Sequence, residues 1–255
     1  MSDHTVYLVT GSNRGIGLGL VAALVTRANV TVFAGARNPG APSLTELAAK
    51  HPNLHPLQLT SGNEAENQAA LEKIKTVAGQ LDVIIANAGI ANHFGPLVTT
   101  PLSQFNDHWE TNTRGNVVLF QAAHKLLLAS PSGAPRFIDI GSIAGFIGCY
   151  QHFAAAAYGS SKAASHFLIK VLHQEHPELI SISIHPGLVP TDMGNNAAEI
   201  LGLQQGEMDP MRESIEGILD RVDAAKTREM SGRFYTFKSN YGGDTWDSET
   251  DEIAW

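Results

Sequence analysis

The stretch Thr10-Gly11-Ser12-Asn13-Arg14-Gly15-Ile16-Gly17 constrains this chain more than any other. It follows a short apolar, β-branched run, Thr5-Val6-Tyr7-Leu8-Val9-Thr10, that reads as a buried strand. It leads into Gly15 to Arg27, where Ile16, Leu20, Ala23 and Leu24 recur at helical spacing. Glycines at such a junction permit a tight turn, a close backbone approach to a pyrophosphate, and close packing of helix on strand. The helix start would aim free N–H groups at an anion. A glycine turn with no ligand has the same composition, so the reading depends on what surrounds it.

The surroundings repeat the strand-then-helix unit. Further strands are expected at Val30–Ala34, Leu54–Leu59, Leu81–Ala86, Arg136–Ile140, Ile180–His185 and Gly232–Phe237. Helices are expected at Ser43–Lys50 with Ser43 as N-cap, and at Glu64–Ala78, Asp107–Leu128, Tyr158–His173 and Asp209–Ala225. Alternation of this kind predicts an α/β fold: a Rossmann-type, doubly wound, mainly parallel seven-stranded sheet with helices on both faces. Near-continuous apolar strands such as 82–86 fit burial from both sides. The expected organisation is a single dinucleotide-binding catalytic domain over 1–255, with a solvated acidic tail at about 244–255. Ligands in such folds bind beyond the carboxyl ends of the strands, and the unusual residues of this chain fall at those ends.

A formal charge of −8 and the absence of any Lys/Arg cluster argue against a nucleic-acid partner. Cys149 is the only cysteine, so neither an intrachain disulfide nor a Cys-rich metal site is expected, and no metal is assigned. The start, Met1-Ser2-Asp3-His4-Thr5, lacks the pattern of a leader peptide, and no window has the apolar length of a membrane span. A cytoplasmic protein with no membrane partner is the expectation.

The second strand ends Gly35-Ala36-Arg37-Asn38, with alanine and arginine where NAD sites place an acid for the ribose hydroxyls. A guanidinium there can grip a 2′-phosphate through paired charge-assisted hydrogen bonds. Arg14 in the glycine loop is a second cation within reach, and together they favour NADP(H) over NAD(H). Two solvated surface arginines would look the same one at a time.

Tyr158-Gly159-Ser160-Ser161-Lys162 puts a tyrosine and a lysine on one helix face at i and i+4. An ammonium beside a phenol favours the phenolate and brings it toward useful proton transfer. The same spacing also describes an ordinary surface contact. Ser142, after the fifth strand, reads as a carbonyl-binding hydroxyl or a turn serine capping its own backbone. Asn87 and Asn112 are equally open between function and local structure.

In combination these motifs resemble the short-chain dehydrogenase/reductase family over nearly the whole chain. They are Thr10–Gly17, Asn87-Ala88-Gly89, Asn112, Ser142, Tyr158-x-x-x-Lys162, and Pro186-Gly187 followed by Thr191. The resemblance implies a catalytic set of Asn112, Ser142, Tyr158 and Lys162. In it Tyr158 donates a proton to a substrate carbonyl, Ser142 orients that carbonyl, Lys162 holds the nicotinamide ribose, and Asn112 keeps a relay water. It implies NADP(H) contacts from Gly11, Asn13, Arg14, Gly15, Ile16, Gly17, Arg37, Asn87, Gly89, Pro186, Gly187, Val189 and Thr191, besides Tyr158 and Lys162. Thr60 stands where the family often has an aspartate reaching toward the adenine, so it supplies only part of that contact.

Within the family the chain resembles the branch holding sniffer-type carbonyl reductases, C-factor-like proteins and fungal norsolorinic acid ketoreductases. Its Val6–Gly11, Ala91–Pro96 and Pro190–Gly194 segments and terminal Trp255 carry that likeness. An aromatic or polyketide-like ketone is implied, with Phe94, Phe146, Tyr150, Phe153 and Met193 as walls or as core, and His152 in the same stretch. The glycine-bearing segment 187–208 would close as a lid. A non-catalytic NADP(H)-binding regulator on the same fold, or a reductase of an imine or enone, is the alternative. Family members also form homo-oligomers through two long helices, here 107–128 and 158–173, though monomers exist.

Overall fold

The computed structural model describes residues 4–148, 154–204, 207–238 and 252–253. The strands are β1 (Thr5–Thr10), β2 (Val30–Ala36), β3 (Leu54–Gln58), β4 (Val83–Ala86), β5 (Arg136–Ile140), β6 (Ile180–His185) and β7 (Arg233–Thr236), β-branched and apolar in β1, β2 and β4 above all. The helices between them are α1 (Gly15–Leu24), α2 (Pro42–Lys50), α3 (Glu64–Ala78), α4 (Leu102–His108), α5 (Gly115–Leu128), α6 (Ala156–Glu175), α7 (Asp192–Leu201) and α8 (Met211–Ala224). The strand order is β3-β2-β1-β4-β5-β6-β7-β8, and the first seven pair in parallel. The eighth strand, β8 (Glu252–Ile253), pairs antiparallel with β7 at the edge.

Successive residues of each strand feed two different cores, because side chains alternate across a sheet. Tyr7 and Val9 join Leu20, Leu24, Val32, Ile182 and Ile218 on the α1 and α8 face. Val6 and Leu8 join Phe33, Leu71, Ile84, Leu127 and Phe137 on the α3 and α5 face. Full burial of each large apolar side chain contributes roughly 1.5–3 kcal/mol, so the sheet is held from both sides.

Several details depart from expectation. Ser43 does not cap α2. Pro42 takes the first helical position, where its missing N–H costs nothing, and the Ser43 hydroxyl instead donates to the Asn13 carbonyl at 2.9 Å. The expected single helix at 107–128 starts earlier, at Leu102, and carries a π-helical segment, Trp109–Arg114, between α4 and α5. Segment 187–208, expected as a glycine-bearing lid, contains α7, capped at its start by Thr191 and ended by Gly202 at φ +70°. Of the tail expected to be solvated, Glu252 lies in β8 and pairs with Arg233. Residues 244–251 and 254–255 of the tail, Trp255 included, together with Cys149, Tyr150, His152 and Phe153, lie outside the described residues. Among the described residues no helix is long and apolar enough to cross a membrane.

Candidate active site

The strand order turns at β1, with β2 on one side and β4 on the other, and a cleft of about 750 Å³ opens beyond the carboxyl ends there. The glycine loop forms one end of it, with Gly11, Asn13, Arg14, Gly15 and Ile16 in the wall. Gly11 and Gly15 have φ of +66° and +56°, a region that disfavours side chains. A Cβ on Gly17 would lie 2.3 Å from the Gly11 carbonyl oxygen, so the third glycine is there for close approach of helix to loop.

The loop is braced from β4. Thr10 Oγ1 accepts the N–H groups of Asn87 and Ala88, both at 3.0 Å. The Asn87 amide donates to the carbonyls of Thr10 at 2.9 Å and Gly11 at 3.3 Å. Asn87 and Gly89 also line the cleft. The start of α1 has neither a side-chain cap nor an acidic residue in its first turn. By contrast α3 is capped by Asn63 and carries Glu64 and Glu66, and α7 is capped by Thr191 and carries Asp192. The α1 end is thus left with open donors and a positive dipole, which suits a phosphate.

Arg37 and Thr60 line the next part of the wall, Arg37 being exposed to solvent. Arg14 also lines it, but its guanidinium is held in an exposed ion pair with Asp192 at the start of α7. The Thr60 N–H donates to Glu66 at 2.8 Å and its carbonyl accepts from Asn67 at 3.0 Å, fixing the β3 end.

Tyr158, Lys162 and Pro186 also line the cleft, and Thr191 lines it beside Gly15, where an added Cβ would lie 3.2 Å from the threonine methyl. The Tyr158 ring sits between Phe94, 6.4 Å away between centroids, and the edge of His108 at 6.2 Å. The buried Lys162 ammonium donates to the Ile140 carbonyl at 2.7 Å. Ser142 Oγ accepts the Ala144 N–H at 3.2 Å, which leaves its hydroxyl proton to donate elsewhere. Met193 reaches the cleft, whereas Phe146 is buried.

Gly17, Asn112, Ser142, Gly187 and Val189 stand behind the lining rather than in it. Asn112, in the π-helical segment, accepts the Ile90 N–H at 2.8 Å and donates to the Ile90 carbonyl at 2.9 Å and to Ser161 Oγ at 3.0 Å. Its amide therefore clamps the chain just past Gly89 onto α6. Val189 is buried, its carbonyl accepting the Thr191 N–H at 2.7 Å.

Sequence reasoning missed the polar cluster behind this end. Asp139, buried in β5, accepts from Asn116 at 2.9 Å, Ser165 at 3.0 Å and Ser183 at 2.8 Å. His166 accepts the Ser142 N–H on Nε2 at 3.3 Å, and its ring lies tilted against Phe234 with centroids 4.2 Å apart. Burial pushes its imidazole down to about 4, Asp139 opposing and Lys162 adding to the shift. Burial pushes His185 down to about 3. Both rings are neutral near pH 7, as His166 must be to accept a hydrogen bond there. One sequence signal was available: Ile180-Ser181-Ile182-Ser183-Ile184-His185 alternates although both strand faces are covered. Another was Asp139 inside an apolar strand.

The sequence profile of short chain dehydrogenases matches residues 5–201. A norsolorinic acid ketoreductase of Dothistroma septosporum is 36% identical over 241 residues, covering 91% of this chain and 90% of that protein. The NADPH-bound carbonyl reductase from chicken fatty liver superposes with a TM-score of 0.84 at 30% identity, over 99% of both chains. The carbonyl reductase Sniffer of Drosophila melanogaster gives 0.83 at 28% identity, over 99% of this chain and 100% of the other.

Proposed function

Since this chain belongs to the short-chain dehydrogenase family, we propose that it is an NADPH-dependent ketone reductase in which Tyr158 donates the proton to the carbonyl oxygen. The observation that carries this reading is the placement of Tyr158 and Lys162 in the same cleft wall as the glycine loop and Arg37. NADPH, when bound, supplies the hydride, and the protein supplies positioning and the proton.

The residues present fit that nucleotide. The uncapped start of α1 and the side-chain-free notch at Gly11, Gly15 and Gly17 suit a pyrophosphate. Arg37, with Arg14 once freed from Asp192, suits a 2′-phosphate. Lys162, Asn87, Gly89, Val189 and Thr191 would hold the remainder. Ser142 orients the carbonyl toward the Tyr158 hydroxyl. Asn112 acts through the Ile90 backbone and Ser161, keeping α6 in place against the β4 end.

An aromatic, polyketide-like ketone is the substrate class we favour. Phe94 and Met193 give the Tyr158 end an apolar rim, and relatives acting on norsolorinic acid support a flat aromatic skeleton. Pairing of two copies through α5 and α6 belongs to the same reading, Phe167 on α6 being exposed. The test is oxidation of NADPH and NADH by the purified protein against aromatic ketones, beside Tyr158→Phe. Turnover should favour NADPH and fall about 10²–10⁴-fold in the variant, the usual contribution of a general acid. Undiminished turnover by Tyr158→Phe would remove the assigned role, and a preference for NADH would remove that of the arginines.

A further inference from the structure

The Pro186-Gly187-Leu188 turn leaves β6 with Gly187 at φ +84°. A Cβ at Gly187 would lie 2.5 Å from Asp209 Oδ2 and 2.6 Å from the Phe237 ring, so the glycine leaves a notch that a carboxylate and a ring fill. Asp209 grips the turn from both directions. Its Oδ2 accepts the Leu188 N–H at 2.9 Å, and its own N–H donates to the Leu188 carbonyl at 2.8 Å. Five residues on, the buried Ser214 hydroxyl donates to the Pro186 carbonyl at 2.6 Å. The second carboxylate oxygen faces Lys238, 3.1 Å away, which offsets the cost of burying a charge.

We propose that Asp209 is a positioning residue for the nicotinamide end of the cofactor, acting with Ser214 through the Pro186–Leu188 turn. The inference rests on the nucleotide reading above, which places Val189 and Thr191 against that end. The chain from Leu188 runs through Val189 to Thr191 within three residues, and Thr191 starts α7, whose Met193 lines the cleft. Loosening the turn at Leu188 therefore releases the nicotinamide side of the wall. The glycine loop has its own anchors in Thr10, Asn87 and Ser43, and meets this segment at the rim, through the exposed Arg14–Asp192 pair and the contact of Thr191 with Gly15. No sequence motif singles out Asp209.

The two ends can be probed apart by binding alone. NADPH spans both, whereas adenosine 2′,5′-bisphosphate carries only the phosphorylated adenosine half. Titrations of wild type, Asp209→Ala, Asp209→Asn and Ser214→Ala with each nucleotide make the test. Asp209→Ala should weaken NADPH about tenfold, the scale of an unsatisfied buried partner, with the bisphosphate affinity unchanged. Asp209→Asn, which keeps an acceptor for Leu188, should recover most of the loss. Ser214→Ala should follow Asp209→Ala in direction and serves if that variant does not fold. Equal NADPH affinity in wild type, Asp209→Ala and Ser214→Ala would overturn the inference alone, as would parallel weakening of both nucleotides. Failure of wild type to bind NADPH would overturn the nucleotide reading and the inference with it.

Discussion

At the glycine-loop end of the cleft the protein presents main chain: three glycines, open N–H groups at the start of α1, and arginines at the rim. At the Tyr158 end it presents side chains, set among segments held from behind by buried hydrogen bonds. Lys162 leans on Ile140, Ser142 on His166, and the Pro-Gly turn on Asp209 and Ser214. The difference follows from what each end must do. A phosphate can be cradled by any backbone that comes close enough, so side chains there are mainly to be kept away. Proton transfer needs a hydroxyl and an ammonium fixed to a fraction of an ångström, and only a packed, hydrogen-bonded surround does that.

If the contrast holds, acid should damage the Tyr158 end first and most. His166 and His185 have folded values of about 4 and about 3 against an ordinary 6.5. Below about pH 6.5 the unfolded chain binds the extra protons, so stability is full above that value and falls as pH drops toward the folded values. The full effect amounts to roughly 3–5 kcal/mol for each ring. Urea midpoints taken at about pH 7.5, 6 and 5 should fall steadily. A flat profile over that window would mean these imidazoles are not held neutral.

Asp139→Ala should come next. It strips the acceptor from Ser165, Ser183 and Asn116 and should cost about 3 kcal/mol in denaturant unfolding. Its effect on turnover should exceed that on adenosine 2′,5′-bisphosphate binding, and equal loss of both would blur the division between the two ends. Gly17→Ala breaks the other end: the new methyl meets the Gly11 carbonyl, at an overpacking cost of about 2–3 kcal/mol. Binding of the bisphosphate should collapse in this variant, and retention of it would show that the loop yields. The smallest effect is expected at the rim. Asp192→Asn releases Arg14 from an exposed ion pair, shifting stability by less than about 1 kcal/mol. NADPH should bind slightly tighter in that variant, and weaker binding would mean that Asp192 helps to place Arg14.

The same contrast sets how much was legible beforehand. The glycine loop, the strand-end motifs, the seven parallel strands and most helix bounds are local patterns, spelled within a dozen residues by periodicity and by glycine. Elements lacking such a pattern were not legible. Helix α4 begins at exposed Leu102 without a side-chain cap, and α7 was masked by Gly194 and the nearby glycines. Strand β8 is two residues whose order comes from pairing with β7.

Periodicity by itself determined the α/β order of elements, and the combined motifs, through the family they resemble, named the groups in the cleft. Tertiary structure alone decided what stands behind those groups. Asp139 reaches Ser183, 44 positions away, and Asp209 reaches Leu188, 21 positions away. Side-chain pairings at such separations depend on how helices settle on the sheet. A strand or a turn is written in its own residues, but a buried hydrogen bond is written in two places and read only when the fold joins them.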